Sequence, residues 1–174
     1  PVNKLEAEGY GRFKALFNVR WLALQAESKI NWDGEEEADR SSSWRALEHY
    51  FTETPIKADE KPEAVEVSVS ADLSKHGLPT LVGVIDLVRA GGRIVDFKLT
   101  GKTPDPEMVT HKHGTQLTAY SLLYRDATGR EEGGLELHHL VRTKAPKCII
   151  TSMPPATEQQ LTRLFRSMES YQEG

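Results

Sequence analysis

The chain has 174 residues with 22 Lys and Arg against 26 Asp and Glu, and it is 38% hydrophobic with 13 Gly and 9 Pro. That length suits one domain, and the composition excludes collagen-like and disordered classes. A lone cysteine, Cys148, excludes an internal disulfide, a cysteine-rich zinc site and an iron–sulfur cluster held by four cysteines of this chain, while a net charge of −4 argues against sequence-independent coating of a polyanion.

In chain order, residues 4–28 read as a helix, with Phe13, Leu16, Phe17, Trp21 and Leu24 at the spacing of one buried stripe. The segment 31–40 carries five acidic residues and reads as a polar loop. Ser41–Ser43 then offer an N-cap to a short helix with Trp44, Leu47 and Phe51 on one side. Residues 53–62, with Pro55 and Pro62, read as a connector. Valines at 65, 67 and 69 alternate as in a strand. LVGVIDLV (81–88) and RIVDFKLT (93–100) are two further strands joined by Ala90-Gly91-Gly92, a hairpin signal. Residues 101–113, with two prolines, read as a loop before a helix over 116–127 that Gly129 stops. Strands over 135–142 and 147–152 follow, then a helix over 157–172 opened by a Thr157–Gln160 capping box. The order α-α-β-β-β-α-β-β-α is that of an α/β fold, a sheet covered by helices.

The chemistry lies in two carboxylates and a lysine set inside the most apolar strands. Buried charges are rare unless paired or bound to metal. Asp96 and Lys98 point to one face of their strand, and Val95, Phe97 and Leu99 to the other. With a three-residue loop at 90–92, residue 89 faces 93 and Asp86 faces Asp96; a two-residue loop would put the carboxylates on opposite faces. Two adjacent carboxylates repel, and a hard cation such as Mg²⁺ or Mn²⁺ resolves that conflict. A lysine beside it can orient or deprotonate a water or stabilise charge on a phosphate. Glu66, on the face opposite Val65, Val67 and Val69, is a candidate third carboxylate. The plain alternative is an Asp96–Lys98 ion pair on a solvated face, with Asp86 at a strand end.

The ordered set G-V-I-D (83–86), D-F-K (96–98) and Q-L-T-A-Y (116–120) resembles the PD-(D/E)xK nuclease superfamily, and more narrowly its RecB-like exonuclease branch. The resemblance covers residues 63–124 and implies a restriction-endonuclease-like core, a mixed central sheet flanked by helices. It implies that Asp86 and Asp96 ligate Mg²⁺ or Mn²⁺ together with the Phe97 backbone carbonyl, that Lys98 is the catalytic lysine, and that Glu66 is the acidic residue of the preceding strand. Gln116 and Tyr120, one helical turn apart, correspond to the motif on the DNA-binding side. Thr100, Lys102 and Lys112 are expected to contact DNA there as well. The branch also carries a metal-ligand histidine on an N-terminal helix. Here the nearest candidates are Glu48 and His49, which lack the expected glycine context, and His49 reads more naturally as structural or surface.

Other features are weaker. His111 and His113 flank Lys112 and could contact phosphates, or sit in a solvated loop. His138-His139 diverge to opposite strand faces and read as structural. Arg142, Lys144 and Lys147 could hold a DNA backbone. No phosphate-cradling loop of the ATPase kind is present, so an ATP motor would be a separate chain. No apolar run approaches the ~20 residues that span a bilayer, and PVNKLEAEGYGR at the start lacks the apolar stretch of a signal peptide. The absence of an initiator Met suits a piece of a longer protein.

The expectation is one nuclease domain over 1–174, with a helical part at 1–52 and a catalytic core at 63–174. It is read as a cytoplasmic, metal-dependent DNA exonuclease of recombination, repair or phage DNA processing. Its expected partners are DNA ends and a second copy, helicase or recombinase. The rivals are a nucleic-acid-binding module that lost hydrolysis, and an interaction domain whose charges are only ion pairs. The charge is unevenly spread: residues 1–66 hold 14 acidic and 9 basic groups, and residues 67–174 hold 12 and 13. The acidity therefore lies mainly away from the expected site.

Overall fold

A computed structural model describes residues 4–27, 34–57 and 59–173. Helices α1 (Lys4–Glu27) and α2 (Glu36–Glu53) precede strand β1 (Ala64–Ala71), a short 3-10 turn at Ser74–His76, and strands β2 (Leu81–Arg89) and β3 (Arg93–Thr100). Helix α3 (Pro106–Thr128), strands β4 (Leu135–Val141) and β5 (Lys147–Met153), and helix α4 (Glu158–Glu173) complete the order. The five strands form one mixed sheet in the order β1-β2-β3-β4-β5, in which only the β3–β4 pair is parallel. A parallel pair needs a crossover, and α3 supplies it, packing on β1 and β2 with α4 behind it. On the opposite face α2 packs on β4 and β5.

The main core lies under α3, where Ile85, Val88, Ile94, Leu135 and Leu137 of the sheet meet Val109, Leu117 and Tyr124. Burying each large side chain contributes roughly 1.5–3 kcal/mol. A second cluster joins Ala71, Leu73, Leu78 and Leu123. All seven residues of β4 are buried, including Glu136, His138 and His139.

The hairpin between β2 and β3 has the three-residue loop that the site requires, because Arg89 pairs with Arg93, Val88 with Ile94 and Leu87 with Val95. Gly91 (φ 77°) and Gly92 (φ 72°) hold it in the left-handed region that disfavours other residues. Glu63 locks the turn by accepting from the Gly92 N–H at 2.9 Å.

Four local expectations are corrected. Helix α2 begins at Glu36, so 36–40 is helical rather than loop, and Ser43 is a buried mid-helix residue rather than a cap. Glu36, Glu37 and Asp39 sit in the first turn, where the helix dipole favours acids; residues 31–33 lie outside the described residues. Helix α3 begins at Pro106 rather than near 116, because Asp105 caps it by accepting from the Glu107 N–H at 3.0 Å and proline suits the first turn. In α1, Phe13 and Phe17 pack against Trp44, but Leu16 and Leu24 are exposed, so the apolar stripe is narrower than its spacing predicts. In β1, Val65 is exposed while Ala64, Val67 and Val69 pack against the core, so the alternation slips by one at Glu66. Glu66 carries φ 46°, the only left-handed non-glycine among the described residues.

Candidate active site

β3 owes its strand to β-branched and aromatic residues, and its Asp96 turns toward α3 beside Ile94 because alternate strand residues share a face. Asp96 is only 2% exposed. Its carboxylate is met by two groups. Lys98, two residues on, brings Nζ to 2.8 Å from Oδ2, and Gln116 Nε2 donates to Oδ1 at 3.3 Å. The ammonium lies close to Oδ2 but off the line of a hydrogen bond, leaving that buried oxygen without a hydrogen-bond partner. Ionic attraction alone faces it.

Gln116 ties the group together. Its Oε1 accepts from Lys98 Nζ at 3.1 Å, and its Nε2 also donates to the Tyr120 hydroxyl at 2.9 Å. Gln116 and Tyr120 are four residues apart on α3 and so share a helix face. α3 comes close enough for this because β2 has Gly83 beneath it: a Cβ there would lie 2.7 Å from Leu123 Cδ1 and 3.8 Å from Tyr120 Cε1.

Asp86 sits where the β2–β3 ladder ends. Beyond Leu87–Val95 the strands no longer pair, and Asp86 Oδ2 accepts from the Phe97 N–H at 2.9 Å in place of a backbone carbonyl. A break in a ladder re-aims side chains, and a matching slip occurs in β2, where Ile85 and Val88 both face the core. The Tyr120 phenol is raised above its usual value, chiefly by burial; the Gln116 hydrogen bond opposes this, and the Asp96 and Asp86 charges add to it. Both carboxylates thus act on one hydroxyl.

A hard divalent cation fits this donor set. Asp86, Asp96 and the Phe97 carbonyl offer oxygen ligands, and Asp96 Oδ2 is a buried oxygen without a hydrogen bond. A family profile described as the PD-(D/E)XK nuclease superfamily matches residues 3–172. The chain belongs to this superfamily. Among solved structures, a candidate exonuclease from Eubacterium rectale is 14% identical and superposes with a TM-score of 0.67 over 99% of this chain and 67% of its own. That likeness shows the restriction-endonuclease-like fold. A protein named SSO0001 is 16% identical, with a TM-score of 0.45 over 89% of this chain and 71% of its own. No curated protein sequence matches.

Within this PD-(D/E)XK chain the other expected residues fall in different places. Glu66 is exposed at the slip in β1, and His49 lies on α2, which packs on β4 and β5. Among the described residues no three His, Cys, Asp or Glu side chains form a group that could hold a metal, so neither joins Asp86 and Asp96. The slip explains Glu66: strict alternation fails where φ turns positive. Thr100 closes the turn after β3, its hydroxyl donating to the Lys102 carbonyl at 3.0 Å and accepting from the Lys102 N–H at 3.2 Å. Thr100, Lys102 and Lys112 line one cavity with Lys98. Arg142 pairs with Asp39 at 2.6 Å, which occupies it structurally.

His139 gains an importance that spacing did not give it. His139 lies beside Lys98 in the parallel β3–β4 register, and its ring centroid is 5.8 Å from that of His113 on α3. Burial lowers both rings below the ordinary histidine value; Lys98 and Lys112 add to this at His113, and His113 adds to it at His139. Only the identity of the strand parallel to β3 could have pointed to His139. His138 takes the structural role expected of it: Nδ1 lies 2.7 Å from the Tyr50 hydroxyl and Nε2 2.9 Å from Glu136.

Proposed function

We propose that this nuclease is a Mg²⁺- or Mn²⁺-dependent DNA exonuclease, with its active site at Asp86, Asp96 and Lys98. The observation that carries the reading is the buried Asp96 carboxylate, held between Lys98 and Gln116 with Oδ2 lacking a hydrogen bond. Asp86, Asp96 and the Phe97 carbonyl would hold the cation. When bound, it supplies Lewis-acid charge at the phosphate and makes its water acidic. Lys98 balances the Asp96 charge and, at the cavity mouth, orients the attacking water or steadies charge on the phosphate. Gln116 fixes Asp96 and Lys98 relative to one another, and Tyr120 fixes Gln116. Thr100, Lys102 and Lys112 receive the phosphates of the strand. One domain over 1–174, a cytoplasmic setting and a role in recombination, repair or phage DNA processing extend the reading along the RecB-like resemblance. Among the described residues no helix is long and apolar enough to cross a membrane.

The test uses linear duplex and single-stranded DNA labelled at the 5′ or the 3′ end, incubated with Mg²⁺ or Mn²⁺. Stepwise shortening from one end, absent in Lys98→Ala, supports the proposal. Internal cuts in circular DNA overturn the exonuclease assignment. A second reading, a nucleic-acid-binding module, is favoured by the lack, among the described residues, of a third metal-ligating side chain beside Asp86 and Asp96. DNA binding without any hydrolysis would establish it.

A further inference from the structure

Helix α1 is apolar on two sides. One side is aromatic and already has a partner: Tyr10, Phe13 and Phe17 pack on Trp44 of α2, and Tyr10 and Phe13 also meet Phe51. The other side is aliphatic. Ala15, Leu16, Val19, Leu22, Ala23 and Ala26 follow one another at the three- and four-residue steps of a single helix face. Leu16, Val19 and Leu22 are 55%, 63% and 58% exposed. A helix apolar all round belongs in an interior, and a contiguous exposed apolar patch marks a surface that meets a partner.

The charges at the two ends of this face say which partner. Arg12 stands one turn before Leu16, and Glu27 one turn after Ala23. Both are exposed, and among the described residues neither forms an ion pair. Two copies of the face laid parallel would set Arg12 against Arg12 and Glu27 against Glu27. Laid antiparallel about a two-fold axis at Val19, they set Leu16 against Leu22, Ala15 against Ala23, and Arg12 beside Glu27 at both ends. The alanines let the helix axes approach to about 8 Å, the near end of the usual range. The face is therefore complementary to itself in one orientation, as an isologous contact must be. We infer that α1 joins two copies of this chain as an antiparallel pair, with Val19 on the two-fold axis. The inference does not rest on the nuclease reading, because α2, which carries α1, packs on the sheet face opposite α3 and Gln116.

Sedimentation equilibrium of the full chain tests it. One helix face is smaller than the standard interface of about 1,600 Å², so a dimer with a dissociation constant of about 1–100 µM is expected. Val19→Asp places two carboxylates on the axis and weakens the dimer at least about a hundredfold. Val19 is exposed, so the change leaves the core intact. Arg12→Glu weakens it about tenfold, since two exposed contacts turn from attraction to repulsion, and adding Glu27→Arg restores it. In a Cys148→Ser background, Val19→Cys links to its own copy on mild oxidation, whereas Ala26→Cys does not, because Ala26 faces Arg12. A chain that stays monomeric at about 100 µM overturns the inference. So does a dimer that Val19→Asp leaves intact, which would move the contact to another surface such as the bare sheet face with Val82, Val84 and Leu99. Failure of Glu27→Arg to restore the Arg12→Glu dimer, or linkage through Ala26→Cys, overturns the antiparallel pairing.

Discussion

Asp96 has given up nearly all its water, and its compensation comes from one ammonium and one amide. Changing Asp96 to Asn keeps the shape but removes the charge that would hold a cation and attract Lys98. Rate constants for DNA hydrolysis should fall by at least about 10–100-fold, the scale on which even outer-shell partners of a metal site act; steady-state assays on labelled DNA read this. Gly83→Ala tests the close approach of α3. The new methyl would meet Leu123, and overpacking of this kind costs about 1–3 kcal/mol, seen as a lower urea midpoint. At this scale much was legible. The 90–92 loop gave the hairpin its start, the alternation of β3 put Asp96 and Lys98 on one face, and Gln116 and Tyr120 follow from helical periodicity. The expected pairing of Asp86 with Asp96 does not form, because the ladder ends at Leu87–Val95 and Asp86 instead accepts from the Phe97 N–H. Glu66 was not legible, because a positive φ breaks the alternation on which its placement depended. His139 was equally hidden, since its neighbour Lys98 belongs to a strand some forty residues earlier in the chain.

Helix α2 is joined to the sheet by a relay of polar groups. Burial pushes the Tyr50 phenol up to about 12, against a hydrogen bond to Thr54 that lowers it, so Tyr50 keeps its proton and donates to His138 Nδ1 at 2.7 Å. His138 then meets Glu136 at 2.9 Å, and Arg89 bridges Glu136 and Glu60. Tyr50→Phe leaves His138 Nδ1 buried and unpaired, at a cost of about 1–3 kcal/mol. Equilibrium unfolding should show that loss, while hydrolysis by the folded protein stays near the native rate, because this relay lies on the sheet face away from Gln116. Element starts were the least legible feature. The prolines at 104 and 106 read as loop, yet Asp105 and Pro106 are the cap and first turn of α3. The acidic run before Ser41 read as loop, yet its last residues open α2. Acids and proline favour both loops and helix starts, and only packing on the sheet decides between them.

Across the whole molecule, three histidines, His138 and His139 buried and His113 half-buried, share one pH dependence. Burial lowers His113, His138 and His139 from their ordinary value, which lies near 6.5 in an unfolded chain. Above that value both states are neutral at these rings, and their contribution to stability is fully present. Below it the unfolded chain takes up protons that the folded protein resists, so stability falls as the solution is acidified. Glu136 adds to this at lower pH. Burial raises it, but His138 and Arg89 outweigh burial and hold it below its ordinary value. The Tm by circular dichroism should therefore drop steadily from about pH 7 to about pH 5; a flat or rising profile contradicts the neutral assignment of these rings. The most direct test of the active site is release of nucleotides from linear DNA by wild type and Asp96→Asn, each with Mn²⁺ and with EDTA. Release that needs Mn²⁺ and disappears in Asp96→Asn is the predicted result. Release that persists in EDTA, or undiminished in Asp96→Asn, would contradict a metal-dependent site at Asp86, Asp96 and Lys98.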